Sequence, residues 1–204
     1  MNPAEEDEDL VTQTVELPGG ELRVLQPAES AELPDEGGIK WAPLVDYWSV
    51  IWRSGVGLAR ELAAEDLRGR RVIELGCGLG LPSLAAARAG AEVLATDAYP
   101  EPLELLDRNA AANGVEVETA IADWYRPGAL ADRGPFDLAL AADVLYIDQA
   151  ADAILELLPS LTREAMVADP GRSGSRELLR KAPPAWAVES TKRGIVEIHR
   201  LSRR

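Results

Sequence analysis

Apolar residues along the chain recur with two periods, one of two and one near 3.6, and their order predicts the elements. Val11, Gln13, Val15 and Leu17 alternate with Thr12, Thr14 and Glu16. After the turn signal Pro18-Gly19-Gly20, Glu21 to Leu25 alternates again, which predicts a β-hairpin ahead of the main domain. Residues 26–40, with Pro27, Pro34, Gly37 and Gly38, read as a loop. From Ser54 to about Ala64 the helical spacing takes over, with Val56, Leu58, Ala59 and Leu62 on one side. Arg71 to Leu75 is a buried strand, and Pro82 opens a helix where its missing N–H costs nothing. Strands follow at Ala91 to Asp97, Val115 to Ile121, Phe136 to Ala142 and Glu164 to Ala168. Helices are expected from Pro100 to about Asn113, Asp148 to about Leu158 and Ser173 to Lys181. Trp186 to Ser190 and Ile195 to His199 flank the turn Thr191-Lys192-Arg193-Gly194 and predict a closing hairpin. Strands alternating with helices define an α/β, doubly wound sheet. No repeat or interdomain linker interrupts it, so residues 11–204 read as one domain, with 11–40 as hairpin and loop and 41–204 as the core.

Composition narrows the class. The chain has 204 residues, enough for a sizeable core, and no apolar run is long enough to span a bilayer. Residues 1–10 are acidic and read as a disordered tail without the apolar centre of a signal peptide. A single cysteine, Cys77, excludes an internal disulfide framework and fits a cytoplasmic address. One His and one Cys, far apart, make a zinc site an unexpected reading, so no metal is assigned. A net charge of −14 would repel a phosphate backbone, so nucleic acid is not an expected partner, nor is a membrane. The expected form is a monomer.

Chemistry concentrates after the first strand of the core, in Glu74-Leu75-Gly76-Cys77-Gly78-Leu79-Gly80-Leu81. A dinucleotide fingerprint would place its third glycine at position 81, where Leu81 stands, so an NAD-dependent dehydrogenase is disfavoured. Glu74 also repels phosphate and attracts a cation. The pattern E-x-G-x-G-x-G resembles motif I of class I S-adenosylmethionine (SAM) methyltransferases, whose cofactor carries an ammonium, a sulfonium and a ribose but no phosphate. Gly76, Gly78 and Gly80 would then approach it with their backbone. Asp97, at the end of the second core strand, has the two oxygens a ribose diol needs; the alternative is a helix cap. Asp123 can accept from the adenine amine and Trp124 can stack on the ring, or plug the core edge. Trp41, Trp48 and Trp52 load one upstream stretch. They form a hydrophobic lid over the sheet, or Trp52 or Trp48 walls the cofactor.

Further pieces sharpen the resemblance: Tyr47-Trp48-Ser49-Val50-Ile51-Trp52 upstream, Asp97, Asp123-Trp124, Asp143-Val144-Leu145-Tyr146 and Asp169-Pro170-Gly171-Arg172. Together they resemble the seven-β-strand protein methyltransferases called methyltransferase family 16. That group includes bacterial lysine methyltransferases such as those acting on electron-transfer flavoprotein β, and proteins labelled nicotinamide N-methylases. The resemblance implies a Rossmann-like seven-stranded sheet of order 3-2-1-4-5-7-6 with strand 7 antiparallel. It also implies SAM as cofactor, S-adenosylhomocysteine (SAH) as product, and N-methylation of a lysine in a protein partner. A small amine or pyridine substrate, or an idle SAM-binding protein, are the alternatives. In such enzymes the D-x-x-Y segment faces the methyl donor and the incoming amine. A lysine amine, with a pKa near about 10.4, must lose its proton before it attacks. Asp143 would attract and orient it and Tyr146 would aim its lone pair; otherwise Asp143 caps the next helix and Tyr146 packs on the core. Cys77 reads as a buried filler and His199 as structural. Arg172 could contact substrate or start a helix.

Overall fold

In the computed structural model, which describes residues 9–31, 46–126, 128, 130 and 132–204, the first alternating run is an antiparallel hairpin. Its strands are β1 (Leu10–Leu17) and β2 (Gly20–Pro27), in register from Leu17↔Gly20 to Leu10↔Pro27. Most of the acidic tail and Trp41 fall outside the described residues. The loop expected over residues 26–40 is not seen at its start, and residues 32–40 lie outside the described residues. Gln26 and Pro27 stay in the ladder, and Ala28–Ala31 forms one helical turn, α1, tied down by a 2.5 Å contact between Ser30 Oγ and Ser49 Oγ.

The remaining elements are α2 (Arg53–Leu62), β3 (Arg71–Leu75), α3 (Leu81–Arg88), β4 (Glu92–Asp97), α4 (Pro100–Asn113) and β5 (Glu118–Ile121). They continue as β6 (Leu138–Ala142), α5 (Asp148–Leu161), β7 (Glu164–Asp169), α6 (Ser173–Lys181), β8 (Trp186–Arg193) and β9 (Val196–Arg203). The seven-stranded sheet has the order β5-β4-β3-β6-β7-β9-β8. Counted from β3 this is 3-2-1-4-5-7-6. β9 alone runs against the direction of the other six strands, between β7 and β8. The order reverses between β3 and β6, and a crevice opens there at the carboxyl ends of the strands.

Strand alternation builds two cores, one on each face. Val72, Leu138, Leu140, Met166 and Ala168 point to one face, where Leu58 and Leu62 of α2, Leu84 of α3 and Leu106 of α4 cover them. Ile73, Ala139, Ala141, Ala165 and Val167 point to the other, under Ile154, Leu157 and Leu158 of α5 and Leu178 of α6. Several element boundaries differ from the sequence pattern: Thr191, Lys192 and Arg193, expected as turn, extend β8 and pair with β9, which runs past His199 to Arg203. β5 begins only at Glu118, because Val115 and Val117 turn onto the first core instead of entering the ladder. α5 continues past Leu158 through Pro159 to Leu161, whose side chain is fully buried.

The hairpin docks on the first face, with Leu22 and Val24 fully buried. Two asparagines one turn apart on α4 complete its outer edge. Asn113 Oδ1 accepts from Arg23 N (2.9 Å) and its Nδ2 donates to Arg23 O (2.6 Å). Asn109 repeats the pattern with Leu25, at 2.6 and 3.3 Å. Each side-chain amide thus replaces one rung of a neighbouring strand.

Helix α6 is pressed against the loop after β6. A Cβ on Gly174 would lie 2.6 Å from Leu145 O and 2.7 Å from Ile147 O, both backbone atoms that cannot swing aside. Gly174→Ala is therefore expected to cost about 1–3 kcal/mol of stability, as core overpacking does. Urea denaturation of the two proteins measures it.

Candidate active site

The turn from β3 into α3 requires three left-handed residues at alternate positions: Gly76 (φ +68°), Gly78 (φ +50°) and Gly80 (φ +76°). Side chains are excluded there by contact as well as by backbone conformation. A Cβ on Gly78 would stand 3.0 Å from Trp48 O, and one on Gly80 would run into Leu106. The loop lines a cavity of about 520 Å³ at the reversal of strand order.

Four strands bring a carboxylate to this edge. Glu74, in β3, is buried, and its Oε2 accepts from Ser83 N (2.9 Å) and Ser83 Oγ (2.5 Å) at the start of α3. Burial nevertheless pushes its carboxyl up to about 8. Asp97, at the end of β4, accepts from Gly78 N (3.0 Å) through Oδ2 and from Ala98 N (2.8 Å) through Oδ1. Burial raises its pKa above the ordinary value despite these donors. It therefore reaches across to the glycine loop, and the residue at the N-cap of α4 is Tyr99.

Asp143, just past β6, adopts φ +58°, a conformation uncommon outside glycine. Ser54 Oγ donates to its Oδ2 (3.0 Å), the Arg172 guanidinium donates to its Oδ1 from Nε (2.8 Å), and Nη2 completes the ion pair at 2.6 Å. The N-cap position of α5 belongs to Ile147, so Asp143 does not cap that helix. Arg172 in turn lies 5.9 Å from the Trp52 ring centre, and its backbone N donates to Asp169 Oδ1 (2.6 Å). Asp169 closes β7; its other oxygen is buried without a partner, and burial lifts its carboxyl to about 6.

Aromatic residues make the walls and mouth. Trp48, Trp52 and Trp124 line the cavity, and Trp52 Nε1 donates to Tyr47 O (2.9 Å). Tyr146 is 49% exposed and stacks on Tyr47, with ring centres 6.1 Å apart; it does not pack into the core. Asp123 stays off the cavity wall. Its Oδ1 accepts from Tyr125 N (3.0 Å), closing its own turn, and Arg126 lies 3.5 Å away. Cys77 is buried in the loop, and His199 is buried between Ser175 and Ser190. Among the described residues no cluster of His, Cys, Asp and Glu could hold a metal ion.

Ser83, Ser54, Tyr47 and the Arg172 contact were not assigned from sequence. The first had a local signal, a hydroxyl two residues into a helix that follows the glycines. The other three depend on contacts between distant segments. Asp46, Tyr99 and Glu101 also line the cavity, with Glu101 in the first turn of α4.

The sheet order, the left-handed glycine loop and the acidic strand ends define a Rossmann-like methyltransferase fold. A family model described as lysine methyltransferase matches residues 46–168, and the chain belongs to that family. It is 36% identical over 121 residues to protein N-lysine methyltransferase METTL21A of Danio rerio, covering 56% of this chain and 55% of that protein. It is 31% identical over 148 residues to the electron transfer flavoprotein beta subunit lysine methyltransferase of Xenopus laevis, covering 68% and 58%. The chain thus spans little more than half the length of these relatives. Among solved structures, a 16S rRNA N2 G1207 methyltransferase of T. thermophilus in complex with AdoMet and guanosine superposes with TM-score 0.69 at 20% identity, over 96% of this chain and 51% of that one. Magnesium protoporphyrin IX methyltransferase from Synechocystis with bound SAM superposes with TM-score 0.61 at 20% identity, over 74% and 79%. These two likenesses are likenesses of fold.

The buried Glu74 makes stability depend on pH. Its carboxyl holds a proton up to about 8 in the folded chain but only to 4.5, its ordinary value, when unfolded. Folded protein therefore binds the extra proton between those values, and stability falls as pH rises through that window. Asp169 contributes the same sign lower down, between 3.8 and about 6. Glu74→Gln keeps an acceptor for Ser83 and has no proton to lose. Urea melts of the cofactor-free protein are expected to lose a few kcal/mol between pH 6 and 8 in the wild type, with a much flatter profile in the variant.

Proposed function

We propose that the chain is a SAM-dependent N-methyltransferase acting on a lysine side chain of a protein. The observation that carries the cofactor assignment is the charge of the cavity. Asp46, Glu74, Asp97, Glu101 and Asp143 line it, and no Lys, Arg or His does among the described residues. Such a wall repels a pyrophosphate and accepts a ligand bearing an ammonium and a sulfonium. Family membership supports the same reading.

In this reading SAM supplies a methyl group already activated on sulfur. The chain supplies position, which is most of what an in-line displacement needs. Glycines 76, 78 and 80 let the backbone come close to the cofactor. Glu74 would face the ammonium and Asp97 would hold the ribose hydroxyls. Trp124 would stack on the adenine and Trp52 would wall the cavity that both line. Asp123 would accept from the adenine amine through Oδ2, its Oδ1 being taken by Tyr125 N.

At the mouth, Asp143 offers oxygen lone pairs whose charge Arg172 already balances. A carboxylate paired in this way orients an amine without holding it strongly as an ammonium. Tyr146 and Tyr47 flank the approach, where ring faces attract the incoming ammonium. The acceptor is read as a macromolecule because, among the described residues, the mouth is open. All four tyrosines of the chain, Tyr47, Tyr99, Tyr125 and Tyr146, stand on or beside it, each 42–62% exposed. A surface of that kind suits contact with another protein.

Asp97→Ala and Gly76→Arg are each expected to abolish SAM binding in calorimetry. Unchanged affinity in both would refute the cofactor site. Tyr146→Phe is expected to leave SAM affinity within about twofold and to lower turnover by about ten- to a hundredfold. For the acceptor, the protein is incubated with methyl-labelled SAM and a cell lysate. Label on a protein lysine, mapped by mass spectrometry, supports this reading, whereas label confined to the low-mass fraction supports a small amine instead.

A further inference from the structure

We propose that Asn109 is a positioning residue for the glycine loop, and that the β1–β2 hairpin is the brace that holds its amide in place. The inference rests on the reading of that loop as the cofactor site. Asn109 is fully buried on α4, and its amide spans two structures. Its Oδ1 accepts from Leu25 N at 2.6 Å, and its Nδ2 donates both to Leu25 O (3.3 Å) and to Leu79 O (3.4 Å). Leu79 lies between the second and third glycines and lines the cavity.

The bond to Leu25 decides which way the amide faces. A carbonyl oxygen toward Leu25 N leaves the NH₂ for the two backbone oxygens, so the hairpin fixes the donor that meets the loop. Leu106, one turn earlier on α4, fills the space under Gly80 that a Cβ would need. The glycine loop thus leans on one helix face, and the hairpin seats that face. None of residues 10–27 lines the cavity, so the hairpin acts on it only through α4 and its neighbours. Asn113 is the internal control. It clamps Arg23 in the same way, but its other donation goes to Asn109 O (2.7 Å), not to the loop.

The test uses SAH as the probe on the full chain. Calorimetry is expected to show about 3- to 10-fold weaker binding for Asn109→Ala, the scale of one net hydrogen bond, and affinity within twofold of wild type for Asn113→Ala. Hydrogen exchange on the wild type gives a second readout that survives a variant failing to fold. Coupling is reciprocal, so SAH is expected to slow exchange of the Leu25 amide severalfold, with a smaller effect at Arg23. A purely structural asparagine would not transmit that signal. Binding of SAH to the wild type with unchanged exchange at Leu25, or undiminished affinity in Asn109→Ala, would overturn the proposal. Absence of SAH binding to the wild type would instead overturn the cofactor reading beneath it.

Discussion

Four strands of the sheet deliver an acid to the same edge, and the low polarity there makes each a liability until N–H or O–H groups meet it. Glu74 is met by Ser83, Asp97 by the amides of Gly78 and Ala98, Asp143 by Ser54 and Arg172, and Asp169 by the amides of Gly171 and Arg172. The donors come mostly from turns and helix starts that follow the strands. Those turns are therefore held in their conformations by the carboxylates, and the cavity is what remains between them. Charge that a folded chain ordinarily avoids burying becomes the instrument that shapes the crevice.

The satisfaction is uneven, and the unevenness maps the chemistry. Asp143 has a full cation beside it, whereas Glu74 has only a serine and keeps a proton near neutrality. A carboxylic acid of that kind is a latent anion, neutral while the cavity is empty and charged once a cation enters. Asp143 is set the other way. A cation is already paired with it, and its position is held against an unfavourable backbone angle by two side chains from α2 and the start of α6.

Local patterns in the sequence reveal what local patterns specify. The glycine loop, Glu74, Asp97 and nearly every strand were legible because each is written in one short run with a fixed period. The sheet order followed from the resemblance, not from periodicity. What stayed hidden was built between runs. Ser54 meets Asp143 across 89 positions, and Asn109 meets Leu25 across 84. Nothing in either neighbourhood announces the other. Asp123 carries two signals at once: its type fits adenine, and an aspartate two residues before a free amide also closes a turn on itself. Val115 and Val117 carried strand propensity and were drawn onto a helix-covered core instead, where burial outweighed it.

The terminal hairpin carries a consequence for how the chain comes to be. β9, residues 196–203, lies inside the sheet, between β7 and β8. As the polypeptide leaves the ribosome, β3 to β7 can assemble, but β7 presents a bare edge until β9 arrives to pair with it. Val167 and Ala168 pair with His199 and Ile198 only then, so a stretch translated after β7 seals an interior seam, not a border. A nascent chain halted before residue 196 would expose a hydrogen-bonding strand edge flanked by buried-type alanines, the kind of surface chaperones intercept.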